Sequence, residues 1–320
     1  MRSRRLGYAA VALAAILWAF GGTYARAMFE KGASPIELTE ARAWIALVGV
    51  GALVLLRGKQ RPRSKPRIGL LAQVIFFGLS LAIANLTYYL AISLLPVAVA
   101  ITIQYTSPAM VVAWQAFAGR RAPSVLTLVS LTAAIVGVAL LAEVPRLFGG
   151  LDLRLDPLGV GFAAASAITF STYVISGESL EREFGSERAV LYGFAVASIF
   201  WIVVQAFSGR PETLLDPRFF QGILVLGIAG TIAPFLLFIW GLGRVKASAA
   251  GITSTIEPLS AALFAFLILG QTLSPMQIVG AAAVLGAVLL LQREKPPTDT
   301  EGSGDRDEVV EQSSDLRRPL

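Results

Sequence analysis

A single carboxylate, Glu257, lies near the middle of an apolar stretch that is long enough to cross a membrane, and Pro258 follows it directly. A charged carboxylate at that depth costs on the order of 2.5–3.5 kcal/mol on insertion scales, and the protonated form costs less. Because the sequence has no histidine, Glu257 is the best-placed candidate for proton coupling. The alternative is a structural role beside Pro258.

Three prolines interrupt apolar segments and are candidate hinges: Pro108, Pro234 and Pro258. A proline inside a helix has no N–H and displaces the carbonyl four residues earlier, which predicts a kink and a carbonyl that faces a cavity. Kinks at matched depth in two halves of a chain are typical of a midplane binding site. The alternative at each position is a proline that only bends its helix and has no role in binding or movement.

Aromatic side chains cluster near the same depth, and six of them are candidate substrate contacts: Trp18, Phe20, Tyr24, Tyr88, Tyr105 and Tyr173. Trp and Tyr usually mark the membrane interface, but several of these lie too deep for it. A buried Tyr or Trp requires a polar partner or a wet cavity. The pattern favours a pocket with aromatic walls, and packing against lipid or core is the alternative for each residue.

Arg42 lies towards the outer end of the second predicted membrane span. Its long side chain can snorkel to the interface, or it can pair with Glu40. The third alternative is that it lines a cavity and binds a substrate carboxylate.

The composition excludes most other chemistry. Hydrophobic residues make up 55% of the 320 residues and charged residues 15%, with a mean hydropathy of +0.69, which is typical of a membrane protein. Without cysteine or histidine, the usual metal sites and Ser-His or Cys-His catalytic pairs are excluded. No Walker A, Gly-X-Ser-X-Gly or zinc motif occurs. We therefore predict no enzyme activity, no catalytic residue, no metal and no cofactor.

A bilayer core about 30 Å thick requires roughly 20 apolar residues per helix, and ten segments meet that requirement. They are Gly7–Met28, Pro35–Leu56, Ile68–Ile92, Val97–Ala118, Val125–Ala142, Pro157–Gly177, Ala189–Phe207, Phe219–Trp240, Ala247–Leu269 and Pro275–Leu291. The predicted fold class is an all-α polytopic membrane protein.

Positive charge predicts the orientation of these spans. The segments on one side contain 17 Lys and Arg residues and the loops on the other side contain six, and cytoplasmic loops collect such charge. We therefore predict a multi-pass protein of the inner (plasma) membrane with both termini in the cytoplasm. The net charge of +6 then reflects topology, and no nucleic-acid partner is expected. The polar residues 296–320 are predicted to form a disordered cytoplasmic tail.

An internal repeat divides the ten spans into two sets of five. At an offset of 150, the segment Gln104–Pro108 aligns with Ser254–Pro258. Because five is odd, the second copy must cross the membrane in the opposite sense, and such inverted repeats surround a central cavity in many transporters. The predicted units are residues 1–146 and 147–295, followed by the tail.

The motifs carry a family resemblance. The LWAFG run at positions 17–21, Ser107-Pro108 and Glu257-Pro258 in a five-plus-five arrangement resemble the drug/metabolite transporter superfamily, specifically the EamA type. The resemblance covers roughly residues 7–291 and implies export of amino acids or related metabolites. The family often has Gly-Glu after the fourth and ninth helices, where this sequence has Gly119-Arg120 and Gly270-Gln271.

These observations favour a secondary transporter that exports a small-molecule substrate by alternating access within the lipid bilayer, with proton coupling at Glu257. A passive channel, a lipid carrier and a nucleotide-sugar carrier are the alternatives. Small residues on the tenth helix, including Gly280 and Gly286, allow a close helix neighbour. That neighbour is either in the same chain or in a second copy, so a homo-oligomer is left open.

Overall fold

A computed structural model describes residues 2–58, 68–95, 97–119, 122–144, 155–208, 211–269 and 273–293. These residues form helices, and no strand occurs among them. Within the described ranges, seven continuous helices are long and apolar enough to cross a membrane, and the apolar helix Val125–Leu141 is shorter. The prediction of an all-α polytopic membrane protein is confirmed.

The helices cover all ten predicted spans. In chain order they are α1 Arg2–Phe29, α2 Pro35–Arg57, α3 Ile68–Leu94, α4 Val97–Gln104, α5 Ser107–Gly119, α6 Val125–Leu141, α7 Pro157–Phe184, α8 Ser186–Ser208, α9 Glu212–Leu215, α10 Pro217–Gly227, α11 Ala233–Leu242, α12 Ala247–Thr253, α13 Ile256–Leu269 and α14 Pro275–Gln292. The predicted repeat boundary at residue 146, the tail and the positions Arg120, Gly270 and Gln271 lie outside the described residues.

Four spans begin with the same local signal, a Ser or Asp followed by Pro. The Ser34, Asp156, Asp216 and Ser274 side chains accept hydrogen bonds from backbone N–H groups of the first helical turn. The following proline fits there because its missing N–H needs no partner in the first turn. At Asp216 the neighbouring Arg218 also donates to the carboxylate, which holds the pKa of that carboxyl below its usual value.

The fourth and ninth spans are each divided into two helices. α4 and α5 are separated by Tyr105 and Thr106, and α12 and α13 are separated by Ser254 and Thr255. The sequence predicted kinks at Pro108 and Pro258, and the structure instead has a two-residue break just before each proline. The breaks lie at corresponding places in the two halves of the chain.

Side-chain hydroxyls explain why a full break is tolerated at this depth. Thr106 Oγ1 donates to the Ile103 carbonyl and Thr255 Oγ1 donates to the Ile252 carbonyl, each at 2.7 Å. Together with the backbone N–H groups of the same threonines, which donate to these carbonyls at 3.1 and 3.2 Å, these bonds keep the ends of the first helices hydrogen-bonded. Each proline then lies in the first turn of the second helix, where its missing N–H removes no hydrogen bond within the helix.

Pro234 has a different effect from the predicted kink. The residues Ile228–Ile232 form a π-helix between α10 and α11, and Pro234 is at the start of α11. A π-turn inserts one extra residue into a helix. The eighth span therefore stays helical throughout, because the wider turn accommodates the proline.

Packing places a continuous aromatic and aliphatic core inside the bundle. α3 packs on α7, α6 on α14, and α1 on both α11 and α13, while α8 packs on α2 and α3. Phe77, Tyr173, Trp201 and Phe238 are among its largest fully buried side chains. Large apolar side chains such as Phe117 and Phe207 are 80% and 88% exposed. This outward apolar surface suits contact with lipid.

The close neighbour of the tenth span is the fifth span of the same chain. A Cβ added at Gly280 would lie 2.7 Å from the Gly137 carbonyl oxygen, and a Cβ added at Gly137 would lie 2.9 Å from the Gly280 carbonyl oxygen. The two backbones touch because neither residue has a side chain. A Cβ added at Gly286 would meet no atom within 4 Å.

Substituting Gly280 with Val should therefore destabilise the protein. The new side chain would push α14 away from α6, and overpacking of this kind lowers the free energy of unfolding by about 1–3 kcal/mol. Thermal unfolding of the purified protein in detergent measures the change. Gly286→Val is the matched control on the same helix, and we expect it to stay within about 0.5 kcal/mol of the original. Equal stability of the two variants would contradict the close contact.

Contacts between helix ends agree with the predicted topology. Tyr8 donates to the Leu291 carbonyl at 3.3 Å, and both residues belong to ends that the charge pattern places in the cytoplasm. Ser274 donates to Glu143 at 2.5 Å, and both of these belong to predicted outer ends. Which of the two sides faces the cytoplasm stays a prediction.

Candidate functional site

The two broken spans meet through a hydrogen bond at their breaks. Tyr105, in the break between α4 and α5, donates from Oη to Glu257 Oε2 at 2.7 Å. The same hydroxyl lies 3.3 Å from the Ser254 carbonyl oxygen, which also accepts the Glu257 backbone N–H at 2.9 Å. The contact thus joins the polar groups that the two breaks expose.

Tyr88 belongs to the same group. It lies on α3 within electrostatic range of both Glu257 and Tyr105, and its ring centroid is 5.9 Å from that of Tyr89. Of the six predicted aromatic contacts, Tyr88 and Tyr105 are the two that the structure brings to the predicted proton-coupling residue.

Arg42 reaches from α2 to the π-helix of the eighth span. Its Nε donates to Thr231 Oγ1 at 2.7 Å and its Nη2 donates to the Gly230 carbonyl at 3.0 Å. Pro234 has no N–H to donate to that carbonyl, so the guanidinium supplies a donor. Arg42 does not pair with Glu40, because the guanidinium bonds go to another helix.

A small cavity of about 20 Å³ opens beside the guanidinium. Its polar lining includes Arg42, Thr39 and Asn85, and its apolar lining includes the rings of Trp201 and Phe235. Sequence reasoning missed Thr39 and Asn85. The available signal for Asn85 is that it is an amide in the predicted outer half of the mostly apolar α3.

Trp18 and Tyr173 lie in a second group around two phenylalanines. The Trp18 ring centroid is 5.2 Å from Phe235 and 5.0 Å from Phe238, and the Tyr173 ring is 5.9 Å from each of them. Trp18 Nε1 and Tyr173 Oη are buried without a hydrogen-bond partner among the described residues. A buried polar atom of this kind is a natural contact for a ligand or a water.

Phe20 and Tyr24 form a third group towards the predicted outer side. Their rings stack at 5.9 Å, and Tyr24 packs against a small apolar cluster that includes Met28 and Leu38. The six predicted aromatic residues therefore share a depth range without lining one pocket. In the part of the chain that the structure describes, no three acidic side chains group as a metal site would require.

Comparison with known proteins identifies the family. The sequence model of the EamA-like transporter family matches residues 5–142 and 157–293, which together make up most of the chain. The chain belongs to the EamA-like transporter family. The resemblance inferred from the sequence motifs is therefore confirmed, and this EamA-like transporter is a multi-pass membrane protein.

Several curated relatives are transporters. An uncharacterized transporter of Archaeoglobus fulgidus is 27% identical over 298 residues, which cover 92% of this chain and 98% of the relative. The threonine/homoserine exporter RhtA of Escherichia coli K12 is 27% identical over 214 residues, or 67% and 68% of the two chains. The uncharacterized inner membrane transporter YicL of Salmonella typhimurium is 26% identical, with 91% and 96% covered.

A solved crystal structure shares the fold of the EamA-like transporter. It superposes with a TM-score of 0.72 at 21% sequence identity, and the match covers 92% of this chain and 99% of the other. At that identity the similarity shows the fold alone.

Proposed function

We propose that this EamA-like transporter is a secondary transporter that exports amino acids or related small metabolites by alternating access. The observation that carries the proposal is the Tyr105–Glu257 bond between two broken helices. Broken helices that expose polar groups at the midplane are typical of substrate sites in secondary transporters. The RhtA relatives, named as threonine/homoserine exporters, support amino acids as the substrate class.

Glu257 is the residue that we propose to couple transport to protons. Its carboxylate lies beside a tyrosine hydroxyl and within range of the Arg42 charge, and the sequence offers no histidine for the same task. A carboxyl group inside the membrane costs less free energy when it carries a proton than when it is charged. Release of that proton on one side would make each transport cycle depend on the pH difference.

Two contacts at opposite ends of the bundle support alternating access. At the predicted outer end, Glu37 Oε2 accepts from the backbone N–H of Thr213 at 2.7 Å. At the predicted inner end, Glu187 pairs with Arg57. Glu37 and Glu187 stand 150 residues apart, which is the offset of the sequence repeat, and each lies in the first turn of the second helix of its half.

Each of these glutamates contacts the other half near the end of its second helix: Glu37 contacts α9, which follows α8, and Glu187 pairs with Arg57, the last residue of α2. We propose that the two contacts open in turn, the outer one when substrate leaves the cell and the inner one when substrate enters the cavity. The positive-inside bias places both termini in the cytoplasm, and the named inner membrane relative supports the inner membrane as the location.

Transport by the purified protein in liposomes tests this function. We expect saturable uptake of radiolabelled threonine into vesicles preloaded with unlabelled threonine, and accumulation against a gradient when a pH difference is imposed. Protein-free liposomes are the control. Flux that never saturates, or that fails to exchange, would instead indicate a channel.

Tyr173→Phe separates a ligand contact from a packing role. Because Tyr173 Oη is buried without a partner among the described residues, its removal should leave the free energy of unfolding unchanged or raise it by about 1 kcal/mol. The substrate concentration for half-maximal transport should rise several-fold. Tyr8→Phe is the control, because its hydroxyl is hydrogen-bonded: stability should fall by about 1 kcal/mol with substrate affinity unchanged. Unchanged affinity in Tyr173→Phe would assign that ring to packing.

A further inference from the structure

A cavity of about 200 Å³ opens at the predicted inner end of the bundle. It lies between the last turn of α2, the last turn of α7, the first turn of α8 and the end of α11. A cavity of about 10–15 Å³ holds one water, so this one has room for a polar group of several heavy atoms. Three arginines line it: Arg57, Arg188 and Arg244.

Arg188 is the cavity arginine whose donors are unused. Its side chain is half-buried on the cavity wall, and it makes no hydrogen bond or ion pair within the described ranges. Its guanidinium offers five N–H donors in a planar fork that matches phosphate oxygens. Arg188 also belongs to the first turn of α8, where backbone N–H groups lack helical acceptors and the helix dipole favours an anion.

The other charges on the cavity wall balance each other. Arg57 pairs with Glu187, and Arg244 Nη1 lies 4.0 Å from Glu181 Oε1. All four residues line the cavity together with Arg188, so three arginines face two glutamates. The cavity therefore has an excess of one positive charge, and an anion with one negative charge would complete the balance.

The surroundings of the cavity suit a lipid. The cavity lies at helix ends that the positive-inside bias assigns to the cytoplasmic surface, and Trp240 on its wall is of a residue type that membrane interfaces favour. Leu55 and Leu56, in the same turn of α2 as Arg57, are exposed, so an apolar surface for acyl chains adjoins the charged groups.

The sequence after α2 adds positive charge next to this site. Positions 59–67 contain five Lys and Arg residues and no acidic residue. Positive charge beside a membrane helix attracts anionic lipids to the surface. The charge pattern thus favours the same class of ligand as the cavity does.

We propose that this cavity binds the head group of an anionic phospholipid from the adjoining leaflet. The phosphate binds the Arg188 fork and the first turn of α8, and the acyl chains lie along the exposed apolar end of α2. Basic pockets between membrane helices bind such head groups, and an arginine binds phosphate oxygens through paired, charge-assisted hydrogen bonds. The site is separate from the Tyr105–Glu257 contact, and its test does not depend on which substrate is transported.

The first test compares two phospholipids that both contain phosphate and differ in net charge. Phosphatidylglycerol should raise the unfolding temperature of the full chain in an uncharged detergent by several degrees more than phosphatidylcholine does. Inorganic phosphate at the same concentration is the soluble arm and should have no effect. Equal shifts from the two lipids would overturn the inference, and so would a shift from inorganic phosphate that matches the shift from phosphatidylglycerol.

Arg188→Gln locates the lipid. The substitution removes the charge and the fork without removing a recorded contact, so the lipid-free variant should unfold at nearly the temperature of the original. Its affinity for phosphatidylglycerol, measured by titrating the lipid, should fall about tenfold or more, which is the effect of one charged hydrogen-bonding group.

Arg5→Gln is the matched control. It makes the same change of charge at an exposed position of the predicted inner end, outside the cavity, and it should bind phosphatidylglycerol as the original protein does. Unchanged affinity in Arg188→Gln would overturn the inference. An equal loss of affinity in Arg5→Gln would also overturn it, because the lipid would then respond to overall charge and not to this cavity.

Discussion

Glu257→Gln should abolish accumulation driven by a pH gradient, with a loss of at least about tenfold in the substrate ratio across the membrane. Glutamine keeps the shape of the side chain and can accept the Tyr105 hydrogen bond that the structure shows at 2.7 Å. It cannot bind or release a proton. If transport requires a proton on residue 257, the pH gradient can no longer drive it in this variant. The helices around the residue retain their packing.

The measurement is threonine accumulation in liposomes with the interior and exterior buffered at different pH. Exchange of labelled for unlabelled threonine at saturating concentration should persist, because exchange needs no net proton movement. Glu40→Gln is a matched control, since Glu40 is another buried carboxyl, 6% exposed, in a membrane helix. An unchanged pH dependence in Glu257→Gln would rule out proton coupling at this residue.

A disulfide across the outer contact should arrest transport. Ser34 N donates to Thr213 Oγ1 at 2.8 Å, so the two residues are neighbours across this contact, and a disulfide between cysteines there requires Cβ atoms about 3.5–4.5 Å apart. The natural chain has no cysteine, and any disulfide formed is therefore the intended one. If the halves must separate at this end in each cycle, the oxidised double variant should lose about 90% or more of its transport.

Reduction should restore transport to the level of the untreated double variant. The single variants Ser34→Cys and Thr213→Cys, treated with the same oxidant, are the controls for damage to the Ser34 cap or to the α9 contact. Full transport by a protein that is shown to be cross-linked would mean that the outer contact does not open. The inner Arg57–Glu187 contact can be tested in the same way with a longer bifunctional thiol reagent.

The helices could be predicted from the sequence better than the directions of their side chains. The ten apolar segments and the interruptions in the fourth and ninth follow from counting apolar residues between charges and prolines. The Tyr105–Glu257 bond does not follow, because it joins residues 152 positions apart. The sequence indicated that a buried Tyr105 requires a polar partner, but it could not identify that partner as Glu257.

The face on which a side chain lies depends on the phase of each helix, which breaks and bulges change. Phe20 and Trp18 are two residues apart, and the structure places them in different groups. Arg42 was open to three interpretations because its acceptors, Thr231 and the Gly230 carbonyl, belong to a π-turn that no local signal announces. Only the tertiary structure decides among them.

The π-turn lets one apolar segment serve two purposes. An extra residue in a helical turn rotates everything that follows it by about 100°, so α10 and α11 do not share a single helical stripe. In the eighth span, Gly230 and Thr231 thus accept hydrogen bonds from the Arg42 guanidinium. Further along the same span, Phe238 packs against Trp18 in the aromatic core. A regular helix of the same composition would have to give up either the polar wall or the core.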